Sequence, residues 1–301
     1  MPELLVPAHI TNVTTIDPGE VRFIELSLPS QWKIENVLYP VLDTMRPGTA
    51  FLAKPWGART EKWRRRMYTR SNTIIESGHV LETIINDTHT DKSDTSVWWQ
   101  SDDVLHWQNT RQPIDIRVQW NDSHSALQIY ENSRQCHSNN LRLEPDGEWE
   151  QMSVVALALS TGITPFLACL RYMKYQSFGR TSVNPGAHVT LIVSVQHEQQ
   201  LMAHEELLAL QCNFPENFYY HPVLTKSWPQ DWAFTTGRII RTPSTSEEDD
   251  DAIDLSPLLS VCPDLHQRHV RFCGNTIARN QLHEGLQKEG ITPLSFRAEV
   301  W

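Results

Sequence analysis

Glycine is scarce in this chain: 12 of 301 residues, ~4% against a usual ~7%. Glycine-dense architectures such as collagen-like helices and low-complexity linkers are excluded, and few positions let a phosphate approach bare backbone. Cysteine is scarcer still. Cys136, Cys169, Cys212, Cys262 and Cys273 are odd in number and widely scattered, which fits reduced thiols in a cytoplasmic protein, an organelle being the alternative, better than a disulfide framework. No C-x-x-C spacing occurs, and the 13 His lie without metal spacing, so neither a zinc site nor a cysteine-bound cluster is expected. His266-x-x-His269 has no Cys or carboxylate in register.

Long apolar runs are absent too. No segment approaches the ~20 residues of a membrane span, and the stretch from Met1 to Val13 carries Glu3 and His9 where a secretory signal needs a basic start and an apolar run. Basic residues are in deficit, 26 Lys+Arg against 36 Asp+Glu for a net charge of -10, which argues against broad nucleic-acid or anionic-membrane binding. A local basic patch stays compatible with this. No G-x-S-x-G elbow is present. Glu205 and Glu206 are adjacent on a helical stretch and point to different faces, so they form no acid–base dyad.

Length sets an expectation of two domains. Up to about residue 149 the chain has short apolar runs broken by turn signals, among them Val21 to Leu28, Thr49 to Lys54, Val80 to Ile85 and Ile114 to Trp120. Strand-rich patterning without helical period suggests an antiparallel barrel or sandwich. Eight of the 11 Trp lie here. From residue 150 onward strand-like and helix-like segments alternate. The buried run Met152 to Leu159 leads through Ser-Thr-Gly-Ile-Thr-Pro into Phe166 to Tyr175. A strand at His188 to Val195 precedes a helix over Glu198 to Leu210, and Phe218 to Leu224, Val270 to Cys273, a helix around Arg279 to Lys288 and a last strand at Leu294 to Val300 follow. That alternation predicts a doubly wound parallel sheet, with ligands at the carboxyl ends of its strands. The run from residue 244 to 254 (STSEEDDDAID) reads as a solvated acidic insertion.

Ser160 to Pro165 forms a strand–turn–helix junction, where backbone N–H groups and the positive helix end suit a pyrophosphate. Turn geometry alone accounts for Gly and Thr there equally well. The order of further segments resembles the ferredoxin–NADP reductase superfamily. Arg66-Met67-Tyr68-Thr69 is similar to its R-x-Y-[S/T] flavin motif, and Ser160 to Pro165 to its G-T-G-I-x-P nucleotide turn. His204-Glu205-Glu206-Leu207, followed by Leu224-Thr225-Lys226 and Gly237-Arg238-Ile239, is similar to the run leading into its adenosine pocket. Phe272-Cys273-Gly274-Asn275 resembles its C-G-[N/P] turn, and Glu299-Val300-Trp301 the Glu-Val-Tyr ending of plant-type members. These motifs span about four fifths of the chain.

The resemblance implies an N-terminal antiparallel β-barrel of FAD type (residues 1–149) and a C-terminal doubly wound parallel-sheet NAD(P)-binding domain (residues 150–301). It implies an FAD-dependent oxidoreductase taking hydride from NADPH, with NADH as the alternative, and passing electrons to a protein or small molecule. Arg66 would pair with an FAD phosphate, Tyr68 would lie against the isoalloxazine, and Thr69 would place its hydroxyl near the flavin atom that accepts hydride. Ser96 would belong to a second flavin-phosphate element. Ser160, Thr161, Gly162, Thr164 and Pro165 would cradle the pyrophosphate. Thr225 and Lys226, with Arg238, would hold the 2′-phosphate. Cys273, beside Gly274, would sit by the nicotinamide, Glu299 would hold or relay charge, and Trp301 would stack on the flavin.

Plain structural readings stand beside these. Arg64 to Arg66 also read as a solvated basic run, and with Arg59, Lys62 and Arg70 as a face for an acidic electron-acceptor protein. Cys273 also reads as a small core residue, and Trp98, Trp99 and Trp107 as core and surface cover rather than a ligand wall. Two departures mark the sequence: Ser160 replaces the first glycine of the nucleotide turn, and residues 92–142 lack the glycines of the flavin-phosphate loops. A member that keeps the fold without ordinary redox turnover, as a binding or scaffold protein or with flavin used in a biosynthetic reaction, is the second functional expectation.

Overall fold

The computed structural model describes residues 4–16, 21–55, 66–73, 75, 78–86, 99, 102–130, 141–143, 148–240 and 253–300. The chain divides into two compact units, one formed by Met1–Leu143 with Leu167–Tyr172 and the other by Glu144–Phe166 with Met173–Trp301.

The first unit is a curled, mostly antiparallel sheet of nine strands among the described residues: β1 (Leu4–Ile16), β2 (Val21–Ser27), β3 (Gln31–Ile34), β4 (Val37–Leu42), β5 (Ala50–Pro55), β6 (Arg66–Thr69), β7 (Val80–Asn86), β8 (Pro113–Asn121) and β9 (Ala126–Ile129). Alternation along β1 sends Val6, Ala8 and Ile10 inward, as a one-face-buried strand requires. β8 shares one edge between two partners: Ile114 to Ile116 pair with β5, and Val118 to Asn121 pair with β9. Its other edge pairs with β1. The run β5, β8, β1, β2, β7 is then closed onto β6 by the bridge Arg70↔Thr83. Inside lie Phe51, Leu81, Ile114, Ile116 and Trp99. Helix α1 (Asp103–Thr110) packs Val104 and Trp107 on this core. Eight residues with one buried position carry too little period to be read as a helix beforehand.

Closure depends on a buried charge. Arg70 is 1% exposed. Its Nη1 donates to Asp43 Oδ1 at 2.8 Å, its Nε to Asn72 Oδ1 at 2.7 Å and its Nη2 to Val80 O at 2.9 Å. The expectation that Arg70 contributes to a solvent-facing basic patch is therefore corrected: its guanidinium fork is spent inside the barrel wall.

The second unit is a five-stranded parallel sheet of order β12-β11-β10-β13-β14, built from β10 (Ser153–Leu159), β11 (His188–Val195), β12 (Phe218–Leu224), β13 (His269–Gly274) and β14 (Ser295–Val300). Among the described residues its helices are α3 (His204–Asn213), α4 (Ser256–Val261), α5 (Thr276–Lys288) and the two ends of α2 (Thr164–Tyr175), whose Leu167–Tyr172 group with the first unit. Five consecutive buried residues in β10 and in β11 are what a sheet covered on both faces demands. The expected helix over Glu198 to Leu210 breaks in two. Gln200 folds its side chain back onto the N–H groups of Gln196 and His197, which closes a short 3-10 turn, and Ala203 takes φ 55° before α3 begins. Edge strand β12 is covered by a returning segment, with Gly237 N–H donating to Leu224 O at 2.8 Å and Thr235 Oγ1 2.7 Å from His221 Nε2. Exposed sheet edges invite pairing with other chains, so the cover has a clear use.

Two outcomes are expected. Asp43→Ala leaves Arg70 charged and buried without its carboxylate, and should cost about 3–5 kcal/mol in urea denaturation; a loss under about 1 kcal/mol would show the pair to be dispensable. Secondly, burial holds His188, His221 and His269 below their ordinary value of 6.5, aided by Arg268 at His188 and by Arg271 and Arg297 at His269. Above pH 6.5 neither state binds the proton, whereas below it the unfolded chain binds protons that the fold refuses, so stability falls with pH. Denaturation midpoints should be flat from about pH 8 to 7 and decline towards pH 5, less steeply in His188→Gln.

Candidate functional site

The order of the parallel sheet fixes where a site can form. From β10 the chain moves outward to β11 and β12, then returns to β13 on the other side. With right-handed crossovers, the connections after β10 and β13 leave to opposite faces and open a crevice at the carboxyl ends of these two strands. Ser160–Ile163 form a 3-10 turn directly after β10 and run into α2. Thr164 Oγ1 donates to Thr161 O at 2.6 Å, and Pro165 occupies the first helical turn, where its missing N–H is not needed. The six residues singled out from sequence thus lie at the switch point.

Ser160 has φ +49°, the left-handed region that suits glycine. A serine there carries strain of roughly 1–2 kcal/mol, the energetic trace of the missing first glycine. On the other lip, Gly274 ends β13, and Asn275 caps α5 by accepting from Ala278 N–H at 2.8 Å. A Cβ on Gly274 would meet Leu159 Cδ1 at 2.8 Å and Phe272 Cζ at 2.9 Å. A side chain at this position would therefore have to displace Leu159 and Phe272.

Cys273 and Glu299 are register partners on β13 and β14, and both are 4% exposed. The short distance of Glu299 from the chain end suggests exposure; pairing in the sheet buries it. Burial, then the charge of Glu299, pushes the Cys273 thiol well above its ordinary value. At neutral pH it is a protonated, compact thiol rather than a nucleophilic thiolate.

At the outer side of the sheet, Thr225 and exposed Lys226 follow β12. Their N–H groups donate to Val195 O at 2.9 Å and Gln196 O at 3.1 Å. Gly237, bonded to Leu224, brings the backbone of exposed Arg238 to the same strand end. Sequence reasoning missed His197 and Ser227 here, whose Nδ1 and Oγ lie 2.6 Å apart. The signal was faint: a lone His two residues past a strand.

In the first unit, β6 pairs with β5. Tyr68 is half-buried, its hydroxyl accepts from Trp99 Nε1 at 2.5 Å, and the two rings meet edge to face at 5.5 Å. Trp99 is 1% exposed and its carbonyl accepts from Arg22 at 2.9 Å, so of the two readings of this tryptophan it takes the core one. Thr69 is half-buried, and its carbonyl accepts from Thr83 Oγ1 at 2.8 Å. The side chain of Arg66, and Ser96, Trp98 and Trp301 entirely, lie outside the described residues, as do residues 244–252 of the acidic run.

Residues 157–277 match the family model described as the oxidoreductase NAD-binding domain. No curated protein matches the sequence. Among solved structures, the chain is similar to the cytochrome P450 reductase GcoB of Amycolatopsis, at 14% identity and TM-score 0.63 over 99% of this chain and 70% of that one. It is also similar to a ferredoxin NADP+ reductase from Neisseria gonorrhoeae solved with FAD and NADP, at 14% identity and TM-score 0.59 over 98% of each chain. A third is the ferredoxin-NADP+ reductase of Plasmodium falciparum with 2′P-AMP, at 16% identity and TM-score 0.58 over 99% and 96%. The fold is the one that these reductases share. Among the described residues, no group of three or more potential ligands could hold a metal, and no helix is long and apolar enough to cross a membrane.

Replacing Ser160 with Gly should raise stability by about 0.5–1 kcal/mol, the relief of strain being partly offset by a freer unfolded chain. Thermal denaturation reads this directly; an unchanged or lowered midpoint would show that the serine pays back its strain in the fold itself.

Proposed function

We propose that this chain, with the fold of the ferredoxin–NADP reductase superfamily, is an FAD-dependent NAD(P)H oxidoreductase that takes hydride from NADPH and passes electrons to a protein or small-molecule acceptor. The observation that carries the reading is the switch-point crevice, bounded by the Ser160–Pro165 turn and by Cys273 and Gly274. An extended, anionic dinucleotide fits that geometry, with its pyrophosphate at the start of α2.

The residues present suit such a ligand. Thr161 and Gly162 lie in the turn that faces an incoming phosphate, and Thr164 steadies it through its bond to Thr161. Thr225, Lys226 and Arg238 offer a hydroxyl and two cations at the β12 exit, a donor set for a 2′-phosphate that favours NADPH over NADH. A buried neutral thiol at Cys273 with Glu299 beside it gives a nicotinamide ring a compact neighbour and a carboxyl group. The flavin, when bound, supplies the redox chemistry. Tyr68 and Thr69, half-buried on β6, would meet it, Arg66 and Ser96 would hold its phosphates, and Trp301 would cover its ring.

Purified protein should show a flavin spectrum that bleaches anaerobically with NADPH faster than with NADH. A colourless protein that takes up no added FAD overturns the reading. A flavin that binds and stays oxidised favours the alternative, a fold kept without ordinary redox turnover, to which the strained Ser160 gives specific support. Lys226→Ala should weaken NADPH about tenfold, ~1.4 kcal/mol, and leave NADH unchanged. Trp301→Ser should tighten nicotinamide binding, and unchanged binding would remove Trp301 from the flavin face.

A further inference from the structure

The chains leaving β11 and β12 do not separate at the end of the sheet. Thr225 N–H donates to Val195 O, and Lys226 and Ser227 N–H both donate to Gln196 O, at 2.9, 3.1 and 3.2 Å. Stapled in this way, the two exits set His197 against Ser227, with Nδ1 2.6 Å from Oγ. The Gln200 N–H donates to His197 O at 3.0 Å, and the Gln200 side chain accepts from the His197 N–H at 3.2 Å. The turn at Gln200 therefore holds the backbone of His197, and Ser227 at the β12 exit holds its half-buried ring. When the Ser227 hydroxyl donates to Nδ1, the ring proton lies on Nε2, and that nitrogen is the donor.

Lys226 supplies charge at this strand end without a directed fork, since an ammonium is a flexible point charge. A phosphate monoester presents three strong acceptor oxygens, enough to engage a further donor beside Thr225, Lys226 and the guanidinium of Arg238. We infer that His197 is a specificity-determining residue for the 2′-phosphate of the nucleotide, giving the directed N–H that Lys226 lacks, and that Ser227 is its positioning residue. The inference rests on the nucleotide reading above and deepens it.

Calorimetric titration of the full chain with AMP and with 2′-phospho-AMP isolates this contribution without requiring flavin or turnover. Wild type should bind 2′-phospho-AMP more tightly than AMP. His197→Ala should shrink that ratio about tenfold, ~1.4 kcal/mol, with AMP affinity unchanged. Ser227→Ala should shrink it less, and His197→Asn, which keeps an N–H donor, should recover part of it. An unchanged ratio in His197→Ala, or equal losses for both nucleotides in a protein with wild-type circular dichroism, overturns the assignment. A wild type that binds both equally overturns the 2′-phosphate reading of Thr225 and Lys226 as well, and one that binds neither overturns the nucleotide site.

Discussion

The chemistry open to the second unit depends on the position of β10. It is the first strand of its sheet in sequence and the middle one in space, with β11 on one side and β13 on the other. A strand in that position must be apolar on both faces, and its neighbours' connections must leave in opposite directions. The crevice at its carboxyl end is thus a by-product of chain order. Ser160, Gly274 and Asn275 meet there because the strands preceding them are adjacent, although more than a hundred residues separate Ser160 from Gly274. Loop chemistry could vary widely without moving this crevice, which is why the site belongs to the sheet more than to any single loop.

The first unit solves a different problem. Its sheet curls until β6 must meet β7, and the ladder there is reduced to one bridge at Arg70. With few backbone bonds available, side chains complete the seam: Arg70 reaches Asp43, Asn72 and Val80 O, and Thr83 reaches Thr69 O. A buried pair of this kind adds little net stability but is costly to break. Its effect is to fix register, and register decides which of Met67, Tyr68 and Thr69 face the interior. The polar run Arg70–Thr73, buried throughout, is a price of closure that an apolar seam could not replace without losing those directional bonds.

Legibility in the sequence followed burial. β10, β11 and β12 are near-continuous apolar runs, and Phe218–Leu224 is the same span by pattern and by structure. Where a segment is held by side-chain bonds instead, pattern misleads. The break at Ala203 depends on Gln200 turning back, and nothing in apolar period distinguishes that glutamine from a helical one. Arg70 looked like the last member of a basic cluster because charge alone says nothing of a carboxylate 27 residues away. His197 was invisible for a related reason. Its meaning comes from Ser227, thirty residues on, and only the parallel pairing of β11 with β12 makes them neighbours.

The glycines show what this chain does with a scarce residue. Gly274 lets Leu159 and Phe272 close over the end of β13, where a Cβ would displace them, and that is a packing role. At Ser160 the backbone adopts a glycine-like φ without a glycine, so the turn geometry is specified strongly enough by β10 and α2 to impose itself on a residue that resists it. The turn therefore owes its shape to the elements flanking it, and composition reports only the cost. For a dinucleotide, the difference is a hydroxymethyl group at the lip of the crevice. That group narrows the approach to backbone N–H and adds a hydroxyl of its own, so in the proposed nucleotide site phosphate recognition would shift here from backbone toward side chains, as it would through Thr225, Lys226 and His197 at the neighbouring strand ends.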